Sequence, residues 1–401
     1  MSRKGLVTVL AGAGMGAALC GNVAAQSRVT LYGLLDSGVS YSSRVAPSGG
    51  SRFSVDSGDL QQSRWGMRGT EDLGGGLKAL FILEGGFSVA NGTAGQGGLP
   101  LGRTTVVGLE GPFGTVELGR RKDFIDEIAT WYSSVANFGV FINGVHDNNL
   151  DRVGGARSNN SVRYDSPEFR GFKANLTYGF GNTAGSLSTG QSLGFGANYA
   201  NGPFGIGFGY WESKLGTGTQ AANSSSDQGT ASGAGCNPTL GSAGQTCVKT
   251  WMLGSSYTVD KFRVYASWSR TLQPLATYGG NSAPFSSAFT RIAGAGAFTA
   301  AGSNNGATNV FDVGANYFVA PDLVLIASVL QSRYSFVGTS TQGRLTQYNV
   351  GVDYVLSKRT DVYSYFANLR ASNMYNPGVI GGAPGADMMQ SAMTIGLRHK
   401  F

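Results

Sequence analysis

From residue 172 to residue 178 the chain alternates without a break. Phe172, Ala174, Leu176 and Tyr178 are apolar, and Lys173, Asn175 and Thr177 between them are polar. The same period of two returns along most of the sequence. Trp251, Leu253 and Tyr257 fall on one face, as do Phe262, Val264, Ala266 and Trp268. At the end, Met393, Ile395, Leu397 and Phe401 share a face opposite Thr394, Arg398 and Lys400. Successive side chains of a strand point to opposite sides of a sheet, so each segment is a ribbon with one apolar and one polar face. A helix would need apolar residues three and four apart, and almost nothing here reads as a long amphipathic helix. The chain must fold through many strands, as a soluble sandwich or as a closed barrel.

Two features favour the barrel. The segments run to about ten residues, the length of a tilted strand that crosses a bilayer. The connections also alternate in length. Short turns fall at Gly111-Pro112, Ser166-Pro167, Asn201-Gly202-Pro203, Val259-Asp260, Ala320-Pro321-Asp322 and Ser357-Lys358-Arg359. Long stretches rich in Gly, Ser, Asn and Ala lie between them, near 42–60, 122–156, 214–247, 271–308 and 372–389. Short turns at one end and long loops at the other suit an outer-membrane barrel, whose strands are even in number. A coarse count gives sixteen strands, from 29–41 to 390–401. Sixteen strands leave a water-filled lumen, whereas eight would be filled by side chains. The predicted fold is all-β: a closed antiparallel transmembrane β-barrel.

Composition agrees. Glycine supplies 64 residues and charged residues 13%, against about a quarter charged in a typical soluble chain. After the first residues no run of about 18 apolar residues follows, so no transmembrane helix is expected. The start itself reads as an export signal. Arg3 and Lys4 precede an apolar stretch from Leu6 to Leu19, and Val23-Ala24-Ala25 offers a small-residue cleavage site before Gln26. Residues 1–25 are therefore expected to be a signal peptide and 26–401 the barrel. A lipid-modified Cys20 is disfavoured because Leu19 stands where such signals want a small residue. The net charge is +7, or +5 without Arg3 and Lys4. No basic run exists, so no nucleic acid is expected as a partner. Of the cysteines, Cys236 and Cys247 would remain after export into an oxidising space, and they are expected to pair. Two histidines, His146 and His399, leave little for metal or acid–base chemistry. Asp147 and Asp151 could hold calcium, although a hydrated loop explains them better. There is no P-loop and no Gly-x-Ser-x-Gly elbow, so no enzyme activity and no cofactor are expected. Gly205-Ile206-Gly207-Phe208-Gly209 reads as a close-packed strand and not as a dinucleotide loop.

Several stretches resemble one family. Ser63-Arg64-Trp65-Gly66-Met67-Arg68-Gly69-Thr70-Glu71-Asp72-Leu73-Gly74-Gly75-Gly76-Leu77-Lys78-Ala79 is similar to the second-strand, turn and third-strand signature of β-proteobacterial general porins. Val29 to Asp36 resembles their first strand, Val107 to Arg120 their fourth and fifth, and Asn160 to Pro167 their sixth. Gly396-Leu397-Arg398-His399-Lys400-Phe401 resembles the terminal strand, ending in Phe, that the barrel-assembly machinery reads.

The resemblance implies a homotrimer of 16-stranded barrels in the outer membrane, among outer-membrane lipid and lipopolysaccharide. It implies passive diffusion of small hydrophilic solutes and ions; a solute-selective channel is the alternative. It also implies a long third loop, roughly 121–156, folded into the pore. Wall arginines would be Arg64, Arg103 and Arg157, facing Asp123, Asp126 and Glu127 on that loop. Parity agrees for Arg64, since Trp65 then faces lipid.

Overall fold

The computed structural model describes residues 28–146, 152–153, 157–182, 184–187, 191–214, 247–272, 305–336, 340, 342–374, 376–380 and 383–401. Its strands form one antiparallel sheet. In chain order they are β1 (Arg28–Val45), β2 (Gly50–Ser57), β3 (Arg64–Gly74), β4 (Leu77–Gly86), β5 (Thr104–Gly111), β6 (Gly114–Lys122), β7 (Arg157–Asp165), β8 (Phe172–Gly179) and β9 (Ser192–Asn201). Then follow β10 (Phe204–Lys214), β11 (Cys247–Val259), β12 (Phe262–Leu272), β13 (Asn305–Ala320), β14 (Leu323–Phe336), β15 (Gln342–Ser357), β16 (Thr360–Ser372) and β17 (Met389–Lys400). β1 pairs with β17 from Leu34↔Lys400 to Ser42↔Ala392, which closes the barrel. Beyond that register the backbones of Gly33 and Phe401 bond each other twice, at 3.1 Å each. The Phe401 ring covers Gly33: a Cβ there would lie 2.2 Å from the ring.

The barrel has sixteen positions because β2 and β3 share one. One half of β1 pairs with β2 and the other half with β3. The sequence suggested a loop over 42–60. Instead 50–57 folds back on β1, with Val39 opposite Val55 and Tyr41 opposite Phe53. The last two rings stand 5.1 Å apart. Between β2 and β3, residues 58–63 leave the wall.

Outward residues are apolar and open to the surroundings: Val39 is 60% exposed, Val313 60% and Ile395 61%. The main core lies inside the barrel instead, where the chain turns inward after β6. Asp123 caps a helix, Phe124–Tyr132, by accepting from the Ile125 amide at 2.8 Å. The helix buries Phe124, Ile125, Ile128 and Tyr132 against β9, β10 and β11. That wall is paved with glycine. A Cβ on Gly207 would fall 2.3 Å from Ile128 Cδ1, and one on Gly196 would fall 2.2 Å from Phe124 Cδ1. Gly205, Gly207 and Gly209 thus make room for the helix while Ile206 and Phe208 face outward.

The inserted segment continues through Val135–Phe138 and a 3-10 turn, Gly139–Ile142. Phe138, Phe141, Ile142 and Val145 join one core with Leu330, Tyr334, Leu345, Tyr365 and Leu369 from the far wall. Val379 and Ile380, from the connection before β17, belong to the same core. Polar anchors fix the arrangement. The Asp312 carboxylate on β13 accepts from the Ser134 amide at 2.6 Å and from its hydroxyl at 2.7 Å. Asn137 and Asn316 bond reciprocally at 3.1 and 3.2 Å. Gly139, at φ +49, brings the Val140 amide within 3.0 Å of the Asp59 carbonyl in the 58–63 excursion.

Candidate pore constriction

With the β9–β17 side of the lumen occupied, a cavity of about 170 Å³ remains between the inserted segment and the opposite wall. Arg64, Arg103, Lys122 and Arg398 line it from the barrel. The inserted segment contributes Asp126, Thr130, Val135, Ala136, Val140 and Asn143. Four cations and one carboxylate therefore face the gap. One side is basic and the other is mostly uncharged.

The cations are held from behind. Glu84 on β4 accepts from Arg103 Nε at 2.7 Å and lies 3.6 Å from Arg64 Nε. The Tyr32 hydroxyl donates to the same carboxylate at 3.0 Å. Arg103 Nη1 also reaches Gln62 Oε1 at 2.5 Å. Arg398 forms a two-pronged pair with Asp361, its Nη2 at 2.8 Å and its Nε at 3.1 Å. Such forked pairs fix orientation as well as charge. Lys122 Nζ contacts both oxygens of Asp126, at 2.9 and 2.8 Å.

The six residues singled out from the sequence divide. Arg64 is on the inward face of β3, with Trp65 outward and 40% exposed. Arg103 precedes β5, and Asp126 faces the gap. Arg157 opens β7 but is buried, and its Nε donates to the Arg103 carbonyl at 2.7 Å, so it props Arg103. Asp123 and Glu127 sit elsewhere than expected. Asp123 is 2% exposed, committed to the helix cap and to Arg152, whose guanidinium lies over the Trp211 ring at 4.1 Å. Burial raises the Asp123 pKa although Arg152 opposes it. Glu127 pairs with Arg163 and Arg121 and fastens the helix to the wall.

Other members of the site escaped the sequence reading. Glu84 was open to parity, since it stands opposite Gly66 on the inward face. Arg120 was not. It shares parity with Val116 and Leu118, whose register partners Leu109 and Val107 are exposed on the lipid side. A bulge at Gly119, φ +134, shifts the register between Gly119 and Arg121. Arg120 is turned into the wall, donating to the Gly102 carbonyl at 2.8 Å. Residues 1–25, Asp147, Asp151 and Cys236 lie outside the described residues; Cys247 begins β11.

Comparison with known proteins agrees with this architecture. A family model described as Gram-negative porin matches residues 7–373. An outer membrane porin protein of Bordetella pertussis is 26% identical over 96% of this chain and 97% of its own length. Outer membrane porin protein 32 of Delftia acidovorans is 36% identical, over 55% of this chain and 63% of that protein. Among solved structures, an anion-selective porin from Comamonas acidovorans superposes with a TM-score of 0.68 at 25% identity, covering 94% of this chain and 100% of that one.

Proposed function

The chain belongs to the Gram-negative porin family, and from that premise we propose that its constriction is the gap between the Arg64–Arg103–Arg398 wall and the Asp126 face of the inserted segment. The protein is an outer-membrane β-barrel that forms a channel for passive diffusion of small hydrophilic solutes and ions. Its relatives are channels rather than enzymes. Arg64 and Arg103 act as the selecting charges, Arg157 positions Arg103, and Asp126 with Lys122 borders the gap. The channel prefers anions. The observation that carries this reading is the cavity's lining, four cations and one carboxylate, with Glu84 and Asp361 set behind the arginines they pair with. In a gap too narrow for bulk screening, a charge a few ångströms away acts on a passing ion with about 1–4 kcal/mol. The anion-selective Comamonas porin points the same way.

The cations lining the cavity also favour a second reading, a channel selective for small carboxylates or phosphates. Planar-bilayer recording across a KCl gradient tests both. Anion preference gives a reversal potential on the chloride side, and a cation-side potential refutes it. Block of the current by one added anion marks the selective channel. We further propose a homotrimer, exported by removal of residues 1–25 and assembled by machinery that reads the strand ending in Phe401. The Gly33–Phe401 closure supports the last point, because Phe401 completes the seam.

A further inference from the structure

The cavity has a third side. Between the arginine wall and the inserted segment stands the 58–63 excursion, which contributes Gly58, Leu60, Gln61 and Gln62 to the lining. This short stretch is fixed at every step. Gly58, at φ +79, donates its amide to the Asp36 carbonyl at 2.8 Å, and the Ser63 hydroxyl donates to the same carbonyl at 3.0 Å. The Asp36 carboxylate accepts from the Gln61 amide at 2.9 Å and from the Tyr363 hydroxyl at 2.6 Å. The Asp59 carboxylate accepts from Thr394 at 2.7 Å and from Ser40 at 3.1 Å. Gly38 admits it, since a Cβ there would lie 2.6 Å from Asp59 Oδ2. Leu60 is buried in the core that the inserted segment forms. The side chains of Gln61 and Gln62 therefore start from a backbone anchored both to the wall and to the inserted segment.

Each of the two glutamines meets arginines of the gap. Gln62 Oε1 accepts from Arg103 Nη1 at 2.5 Å, and the Gln62 carbonyl accepts from Arg64 Nη1 at 3.4 Å. Gln61 Oε1 accepts from Arg398 Nη1 at 3.3 Å. Gln96 Nε2 lies 3.5 Å from the same Gln62 oxygen. Two donors at one place require the amide oxygen, and not the amide nitrogen, to face them.

Arg103 and Arg398 are thus gripped from two sides. A carboxylate, Glu84 or Asp361, takes one edge from behind, and a neutral amide takes Nη1 from the lumen side. The chemistry of the front acceptor matters. A carboxylate there would hold the guanidinium but cancel its charge in the gap. An amide holds it and leaves the charge standing.

We propose that Gln61 and Gln62 are positioning residues for ion selection. Their amide oxygens keep the Arg398 and Arg103 guanidiniums extended toward the ion path, and without them each guanidinium folds back on its own carboxylate. The proposal rests on the proposed constriction. Arg103 bonds Glu84 through Nε alone. Released from Gln62, it can rotate into a forked pair of the kind that Arg398 makes with Asp361. A retreat from about 4 to about 6 Å from a passing ion weakens the pull of one charge enough to change relative permeability about two- to tenfold.

The test is the reversal potential of the full-length protein in a planar bilayer across a KCl gradient, for Gln62→Met with and without Arg103→Gln. Methionine keeps the length and the net charge and removes the acceptor. In the otherwise wild-type channel, Gln62→Met should lower the chloride-to-potassium permeability ratio about two- to tenfold, toward the value of Arg103→Gln and not beyond it. In the Arg103→Gln background the same substitution should change nothing. A loosened loop or a wider gap would act in both backgrounds, and the double-mutant cycle separates the two cases. Gln61→Met against Arg398→Gln should behave alike, and it carries the test if heat-modifiable gel mobility shows Gln62→Met unfolded. Gln331→Met, which frees Arg333 on the outward wall, should leave the potential at its wild-type value. An unchanged ratio in either folded variant, an equal shift in the Arg103→Gln background, or an equal shift in Gln331→Met would overturn the proposal. If Arg103→Gln moves the potential and Gln62→Met does not, the constriction stands and this proposal alone falls; if Arg103→Gln moves nothing, both fall together.

Discussion

Removing the Asp312 carboxylate should loosen the inserted segment while leaving the barrel intact. Asp312 is 1% exposed and accepts both the amide and the hydroxyl of Ser134. In Asp312→Ala the Ser134 amide is left buried without its acceptor, at a cost of about 1–3 kcal/mol. The hydroxyl retains Tyr265 Oη at 3.3 Å. Relief from burying a carboxylate offsets part of the loss, so the net is about 1–2 kcal/mol. That shifts the balance between docked and undocked segment about 5- to 30-fold. The β13 ladder does not involve this side chain, so gel mobility of the folded barrel should not change. Single-channel records should show added open-channel noise and excursions to higher conductance. Asp312→Asn keeps one acceptor and should fall between the two. A folded Asp312→Ala protein with wild-type conductance and noise would refute the reasoning.

Gly207→Val should displace the helix, because even a Cβ there meets Ile128. Overpacking of this kind costs about 1–3 kcal/mol, and protease cleavage within 123–146 should become faster than in wild type. Deleting Phe401 removes the two backbone bonds to Gly33 and the ring over it, so the yield of folded barrel should drop while surviving channels keep wild-type conductance; undiminished yield would speak against the seam. Cys236 and Cys247 should be inert to a thiol reagent in unreduced, unfolded protein. Their loop is of a size worth about 3 kcal/mol at most, and labelling at both positions would disprove the pair.

Much of the barrel was legible because a two-sided strand leaves its mark on every residue. The alternation in Phe172–Gly179, the turn dipeptides and the terminal aromatic each follow from local rules. β2 was obscured by the surrounding Gly, Ser and Pro, although Phe53 and Val55 carry the alternation. Within the site, Arg64 was readable by parity alone. Asp123 was misread because a carboxylate before a helix can cap it or face a channel, and only packing decides. Arg120 required knowledge of the Gly119 bulge, and one extra residue reverses parity. Gly205, Gly207 and Gly209 of β10 signalled close packing, but not what would be packed there.

In the proposed channel, ions pass along the arginine wall. The direct test is the reversal potential of Arg64→Gln/Arg103→Gln against wild type across a salt gradient. In wild type the two guanidiniums outweigh Glu84; in the variant Glu84 remains beside the gap without them. The potential should move toward the cation side, with a modest rise in conductance. A control that removes the same charge in an exposed turn, Lys358→Gln/Arg359→Gln, should move it far less, since screening acts within about 8–10 Å. An equal shift in the control, or no shift in the arginine variant, would contradict the account.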